Sequence, residues 1–224
     1  MSWLRHPLLD ATGVVYGFGT RICTAPDNLV RARQVHGRAV VRVNATTGAL
    51  ADEADALVCD VPGLPIGVVT ADCLPVLIAA PSGAVAAAHA GWRGLAAGVL
   101  TAAVDALREL APDANRGVAV IGPHVGTSCY EVDEPVVRGC VARFGEVATF
   151  AALQATRAGH WKIDLARLAR LDLALAGLAE DRVAVLSDAC TACDTERFHS
   201  FRRDGPGGGR LFHFIAARAA SSAR

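Results

Sequence analysis

IGVVTADCLPVLIAAPSGAVAAAHAGWRG, residues 66–94, is the stretch whose reading decides the fold. Its three apolar runs, Ile66–Thr70, Pro75–Ala80 and Ala84–Ala88, are too short for helices and are bounded by Asp, Pro and Gly. They read as buried strands. Cys73 and His89 then fall at strand ends, where a rigid scaffold presents chemistry to a cleft. A Gly-flanked Trp92-Arg93 pair closes the stretch and opens a helix over Gly94–Leu110, with Leu95, Val99, Ala103, Leu107 and Leu110 at helical spacing. The first N–H groups of that helix point near the end of the His89 strand, an arrangement able to hold an anion.

Working outward, Val14–Phe18, Ala39–Val43, the run ending at Val58, Val118–Gly122, Trp161–Ile163, Val183–Leu186 and Leu211–Ile215 all read as strands. Glu134–Phe144 reads as a helix with Pro135 in its first turn, where proline is tolerated. Asp164 caps a second helix, Leu165–Leu178, whose leucines repeat on one face. His36 precedes Gly37 and an apolar run, which places it at a turn.

A chain of 224 residues with 52% hydrophobic and 20% charged residues supports a substantial core, and no linker divides it. One domain over residues 1–224 is expected. The formal net charge is zero, so nothing global recruits nucleic acid or an anionic membrane. Asp72, Pro75, Pro81 and His89 interrupt the apolar runs well before the ~20 residues a membrane span requires. The start, MSWLRHPLLD, carries no signal-peptide pattern, and seven cysteines suit a reducing compartment better than a disulfide scaffold. A cytoplasmic protein is expected, and its oligomeric state is not legible.

His36, Cys73 and His89 have the ligand types that suit zinc with its fourth position open, the catalytic pattern. Such an ion lowers the pKa of bound water and makes hydroxide available. Their spacing is no local zinc motif, however, and taken singly each reads equally as a turn histidine or a small buried thiol. Cys190-x-x-Cys193 lacks a second ligand pair at knuckle spacing, so a structural or incidental pair is expected, dispensable for catalysis. Cys129 with His124 as its base is a further Cys-His arrangement without corroboration.

The ordered set RQVHG (33–37), ADALV (54–58), TADCLPV (70–76), AHAGWRG (88–94), IGP (121–123), CYEV (129–132) and FRRDG (201–205) strongly resembles the YfiH family. That family is also described as the laccase-domain or polyphenol oxidase family. The similarity runs from about Gly13 to the C-terminus. It implies an α/β fold of the α+β type, a single domain with mixed β-sheets sandwiched between helices, in which His36, Cys73 and His89 bind one metal. It further implies phosphorolysis of adenosine, inosine and methylthioadenosine, with adenosine deamination as a second activity. Copper-dependent laccase activity and editing of peptidoglycan precursors are alternative descriptions of the family.

Zinc is the expected cofactor, with copper the alternative, since a His₂Cys set also suits a blue-copper site. A full multicopper oxidase needs many more histidines than the seven here. The expected partners are a purine nucleoside and phosphate. Candidates to hold the phosphate are Arg93, Arg202, Arg203 and the N–H groups opening the Gly94 helix. Asp72, beside the metal cysteine, is a candidate proton carrier or orienting partner. Three departures stand out, the mildest being Gly207-Gly208-Gly209-Arg210 where relatives more usually carry Thr-Gly-Arg. Only Ile22–Ala32 separates GFGTR (17–21) from QVHG, which bears on one wall of the pocket, and Ser128-Cys129 stands where relatives tend to carry two cysteines.

Overall fold

The computed structural model describes residues 3–219. Helix α1 (Pro7–Asp10) and strand β1 (Val15–Phe18) lead to β2 (Arg31–Arg33), β3 (Val40–Val43), β4 (Leu50–Glu53) and β5 (Ala56–Cys59). The central stretch supplies β6 (Pro65–Thr70), β7 (Leu74–Ala79) and β8 (Val85–Ala90), then α2 (Trp92–Ala97) and α3 (Val99–Leu110). Next come β9 (Val118–Ile121), β10 (Glu131–Asp133), α4 (Glu134–Phe144), α5 (Glu146–Phe150), β11 (Leu153–Arg157) and β12 (His160–Ile163). Helix α6 (Leu165–Leu175), β13 (Val183–Val185), α7 (Phe201–Asp204) and β14 (Leu211–Ala216) follow.

A mixed six-stranded sheet, ordered β13-β9-β7-β8-β5-β3, is the centre of the molecule. Both faces of its middle strands are covered, which is why their sequences are unbroken apolar runs rather than alternating ones. On β7, Leu74, Val76 and Ile78 join a core shared with Leu95, Leu100, Val104 and Leu107 of the helices. Leu77 and Ala79, pointing the other way, join a second core with Val68 and Ile215 of the sheet β1-β14-β6. The fold is thus a single-domain α/β arrangement, with α2, α3, α4 and α6 on one face of the main sheet and the sheet β1-β14-β6, joined by α1, on the other.

The helix expected over Gly94–Leu110 is two helices. It starts at Trp92, and Gly98 breaks it by adopting φ 82°, a left-handed conformation that ends α2. The N–H groups of Leu100 and Thr101, exposed by that break, donate to Oδ2 of Asp172 on α6 at 3.2 and 3.4 Å. Arg143 and the Thr101 hydroxyl fill Oδ1 at 2.6 and 2.7 Å. A buried carboxylate from a distant helix therefore caps α3. Helix α6 itself begins as the sequence suggests, Asp164 accepting the Arg167 N–H at 2.9 Å, and ends at Leu175, three residues early, before Gly177 turns to φ 94°.

Candidate metal centre

The turn after β2 carries His36 at φ 60°, a conformation uncommon for a residue with a side chain. Asp55, just before β5, holds it there. Its carboxylate accepts three consecutive backbone N–H groups, from Val35 at 3.2 Å, His36 at 2.9 Å and Gly37 at 2.6 Å. The same carboxylate meets Nδ1 of His89 at 2.8 Å, with Asp55 fully buried and His89 3% exposed. His89 lies near the end of β8, paired with Pro75, and Cys73 just precedes β7.

These elements bring the donor atoms of His36, Cys73 and His89 within 4.8 Å of one another. The two imidazoles stand edge to face with centroids 4.8 Å apart. Burial works against ionising Cys73, but hydrogen bonds with His36 and His89 outweigh it and bring the thiol down to about 7. Burial likewise opposes a charge on His89, yet its bonds to Asp55 and Cys73 raise it to about 9. A Cβ on Gly91 would stand 2.9 Å from Cys73 Sγ and 3.2 Å from the His36 ring, so only glycine leaves the three donors their space. With Nδ1 of His89 taken by Asp55, Nε2 remains as its donor, the usual division of labour for an imidazole ligand. One sulfur and two nitrogens with an open fourth direction fit a zinc or copper ion.

The group lies at one side of a cleft of ≈ 710 Å³. Arg31, Arg93, Arg202 and Arg210 line it, and Asp72 is the only carboxylate among the described residues that do. Arg93 stacks on Trp92 with its guanidinium carbon 4.4 Å from the ring centroid, and Arg202 stacks on Tyr130 at 4.9 Å. Burial pushes the Tyr130 phenol up to about 12, keeping it a neutral donor.

Asp72, itself at φ 89°, uses both carboxylate oxygens within the protein. Oδ1 accepts the Thr191 hydroxyl at 2.5 Å and Oδ2 accepts the Arg202 N–H at 2.6 Å. Its geometry is that of a group fixing the Arg202 backbone.

Arg203 differs from the sequence expectation. It does not line the cleft, and its guanidinium is committed to Asp204 and to the carbonyls of Thr191, Ala192 and Phe198. The helix expected to offer N–H groups to an anion is the six-residue α2, too short for a substantial macrodipole. Cys129 and His124 do not pair. The imidazole Nδ1 bonds the Gly122 carbonyl at 2.8 Å, while the Cys129 sulfur meets Cys193 at 2.9 Å. The short segment before His36 still builds a wall, because Gln34 clamps the Val69 backbone at 2.7 and 2.8 Å and carries Arg31 and Ala32 to the cleft.

A family model described as multi-copper polyphenol oxidoreductase laccase matches residues 18–218. The chain belongs to that family, the YfiH family. It is 43% identical to a purine nucleoside phosphorylase of Xylella fastidiosa over 77% of its own length and 66% of that relative's. It is 37% identical to purine nucleoside phosphorylase YfiH of Escherichia coli over 85% and 74% of the two chains. The chain thus spans slightly under two thirds of the length of the Xylella relative. Among solved structures of the YfiH family, YlmD from Geobacillus stearothermophilus superposes with a TM-score of 0.86 at 28% identity, over 97% of both chains. No helix among the described residues is long and apolar enough to cross a membrane.

Sequence reasoning named the three candidate ligands but passed over Asp55, whose signal was present in the ADALV motif as a charged residue opening a wholly apolar strand. Tyr130 stood in the CYEV motif. Arg31 had no motif, Arg210 stood only at the end of the GGGR run (207–210), and the fold brings both to the cleft.

Proposed function

We propose that this chain is a metal-dependent purine nucleoside phosphorylase that splits adenosine, inosine and methylthioadenosine, and that also deaminates adenosine. The observation that carries this reading is the charge of the cleft. Four arginines meet one carboxylate there, in a chain of zero net charge. That carboxylate is already saturated by Thr191 and Arg202, and among the described residues none of the four arginines makes an ion pair. Such a cleft favours a dianion such as phosphate beside a planar, uncharged partner. The curated relatives' names as purine nucleoside phosphorylases support the same reading.

In this account Arg202, with Arg93 as its counterpart, holds phosphate toward the anomeric carbon of the ribose. The attacking oxygen of hydrogen phosphate forms a bond to that carbon as the glycosidic bond to the purine nitrogen breaks, and the base leaves with the proton that the phosphate gives up. Products are the free base and the sugar 1-phosphate. Trp92 and Tyr130, each already carrying a guanidinium on one face, are the aromatic surfaces at hand for the purine. Asp72 positions Arg202 through its backbone N–H, and Asp55 positions both histidines. His36, Cys73 and His89 would hold the zinc ion, which when bound would supply Lewis acidity and an activated water for the deamination.

Copper-dependent polyphenol oxidation by a multicopper enzyme asks for a second, histidine-rich cluster beside the His36, Cys73 and His89 group. A multicopper centre needs many histidines gathered together, and among the described residues only His36 and His89 of the seven histidines share a group of possible metal ligands. The test is product analysis on inosine and adenosine with and without phosphate. Hypoxanthine from inosine should require phosphate, while ammonia from adenosine should not. Base release independent of phosphate means hydrolysis and ends the phosphorylase reading.

A further inference from the structure

Cys129 closes the single 3₁₀ turn Thr127–Cys129, and Cys190 and Cys193 bracket the turn after β13. A backbone bridge brings these segments together, with His124 N donating to Ala189 O at 3.2 Å and Thr191 N to His124 O at 2.9 Å. The result places three sulfurs within 4.8 Å of one another, a group absent from the sequence reading because its third member comes from a distant loop. Cys129 Sγ lies 2.9 Å from Cys193 Sγ.

Several features give this cluster the character of a built site. The N–H groups of Gly126 and Cys193 both aim at the Cys190 sulfur, at 3.2 and 3.4 Å, which favours the thiolate form a ligand needs. A Cβ on Gly126 would crowd that sulfur at 3.3 Å. The turn is fastened from outside, since Arg203 bonds the Thr191 and Ala192 carbonyls at 2.9 and 3.2 Å, and Asp194 N returns to Cys190 O at 3.1 Å. Cys193 is exposed, leaving an entry path. None of the three sulfurs lines the main cleft.

We propose that Cys129, Cys190 and Cys193 form a second metal site, which takes a thiophilic closed-shell cation, Zn²⁺ or Cu⁺, and clasps the loop over residues 188–194 to the loop over residues 124–129. Three thiolates without an oxygen or imidazole donor select soft ions over magnesium or calcium. For Cu⁺ a trigonal sulfur set is complete, and for Zn²⁺ the exposed side admits water as the fourth ligand. The role is architectural. Thr191, beside Cys190, donates to Asp72, whose other oxygen fixes the Arg202 backbone, so the ion braces the loop on which that arginine's placement depends.

The experiment uses the full chain, reduced, stripped with a chelator and handled without oxygen. In a Cys73→Ala variant, which removes a ligand of the first site, one equivalent of Co²⁺ should produce thiolate-to-cobalt charge-transfer absorption with the intensity of three sulfurs. Adding Cys193→Ser should reduce or abolish it. Zn²⁺ and Cu⁺ are then set in competition with a chelator for each, which tells the two ions apart. As a check that needs no variant, alkylation and peptide mapping of the wild-type chain should show Cys129, Cys190 and Cys193 protected by metal and released by chelator. Absence of the charge-transfer band from the Cys73→Ala variant, or alkylation of the three cysteines unaffected by metal, overturns the proposal. So does a Cys129–Cys193 disulfide in protein purified anaerobically.

Discussion

Oδ1 of Asp55 stands 2.8 Å from Nδ1 of His89, in a place sealed from water, and the same atom accepts the backbone N–H of His36 at 2.9 Å. One carboxylate therefore sets the orientation of one donor imidazole and the backbone of the other. Asp55→Asn keeps the shape but loses the charge, and metal affinity should fall about 10–100-fold, the usual cost of losing such a partner. Asp55→Ala should do worse, since it orphans the N–H groups of Val35 and Gly37 as well, at about 1–3 kcal/mol each where they are shielded. Chelator competition measures the first effect and denaturant melts the second. Wild-type affinity in both variants would remove Asp55 from the account.

Arg202 and Arg203 are neighbours with different work. Arg202→Ala should raise KM for phosphate by about 10–100-fold, the scale of a lost charge-assisted bond, while ammonia release from adenosine falls less. Arg203→Ala should leave KM for phosphate near its wild-type value and lower the melting temperature, because its guanidinium only ties its own chain together. Steady-state kinetics on both variants separates the roles. Equal loss of both reactions in Arg202→Ala would assign it to general nucleoside binding.

Asp172 is the buried cap of α3 and the partner of Arg143, whose side chain is 27% exposed. Asp172→Ala leaves two helix N–H groups and the guanidinium without their acceptor. The expected loss is about 3 kcal/mol, at the low end for a broken buried pair because Arg143 can turn toward water. Urea denaturation reads it. A change under 1 kcal/mol would mean that water replaces the cap.

His213 is wholly buried between Gly19 N, at 3.3 Å from Nδ1, and the Thr70 hydroxyl, at 2.9 Å from Nε2. Burial, with a contribution from His89, pushes its pKa down to about 3. A depressed histidine contributes stability that is complete above the unfolded value near 6.5 and is lost as pH falls toward the folded value. Between pH 6.5 and 4 the chain should lose about 1.4 kcal/mol per pH unit from this one residue. His213→Gln should show a shallower pH slope than wild type by that amount in denaturant melts. Identical slopes would mean that the imidazole protonates in the folded chain.

The sequence shows its strands where both sheet faces are buried, as in β7 and β8, because there burial alone dictates composition. It hides β2 and β4, RAR and LADE, which are short, largely solvent-facing and marked only by their pairing. The three candidate metal donors, His36, Cys73 and His89, are legible through the family motifs QVHG, ADCLP and AHAGWRG that carry them, since their spacing alone forms no local zinc pattern. Asp172, Arg31 and Arg210 are illegible for the opposite reason, since each acts on a segment far away in the chain. The Cys129, Cys190 and Cys193 group fails to show for the same cause, one member lying 64 residues from its partner.

The most direct measurement is the stoichiometry of products from inosine, for wild-type protein and Cys73→Ala, at increasing phosphate. Wild type should yield hypoxanthine and ribose 1-phosphate in equal amounts, rising with phosphate from zero, and Cys73→Ala should yield neither. Free ribose in place of the 1-phosphate, or a Cys73→Ala variant that turns over like wild type, would contradict a metal-dependent phosphorylase built on His36, Cys73 and His89.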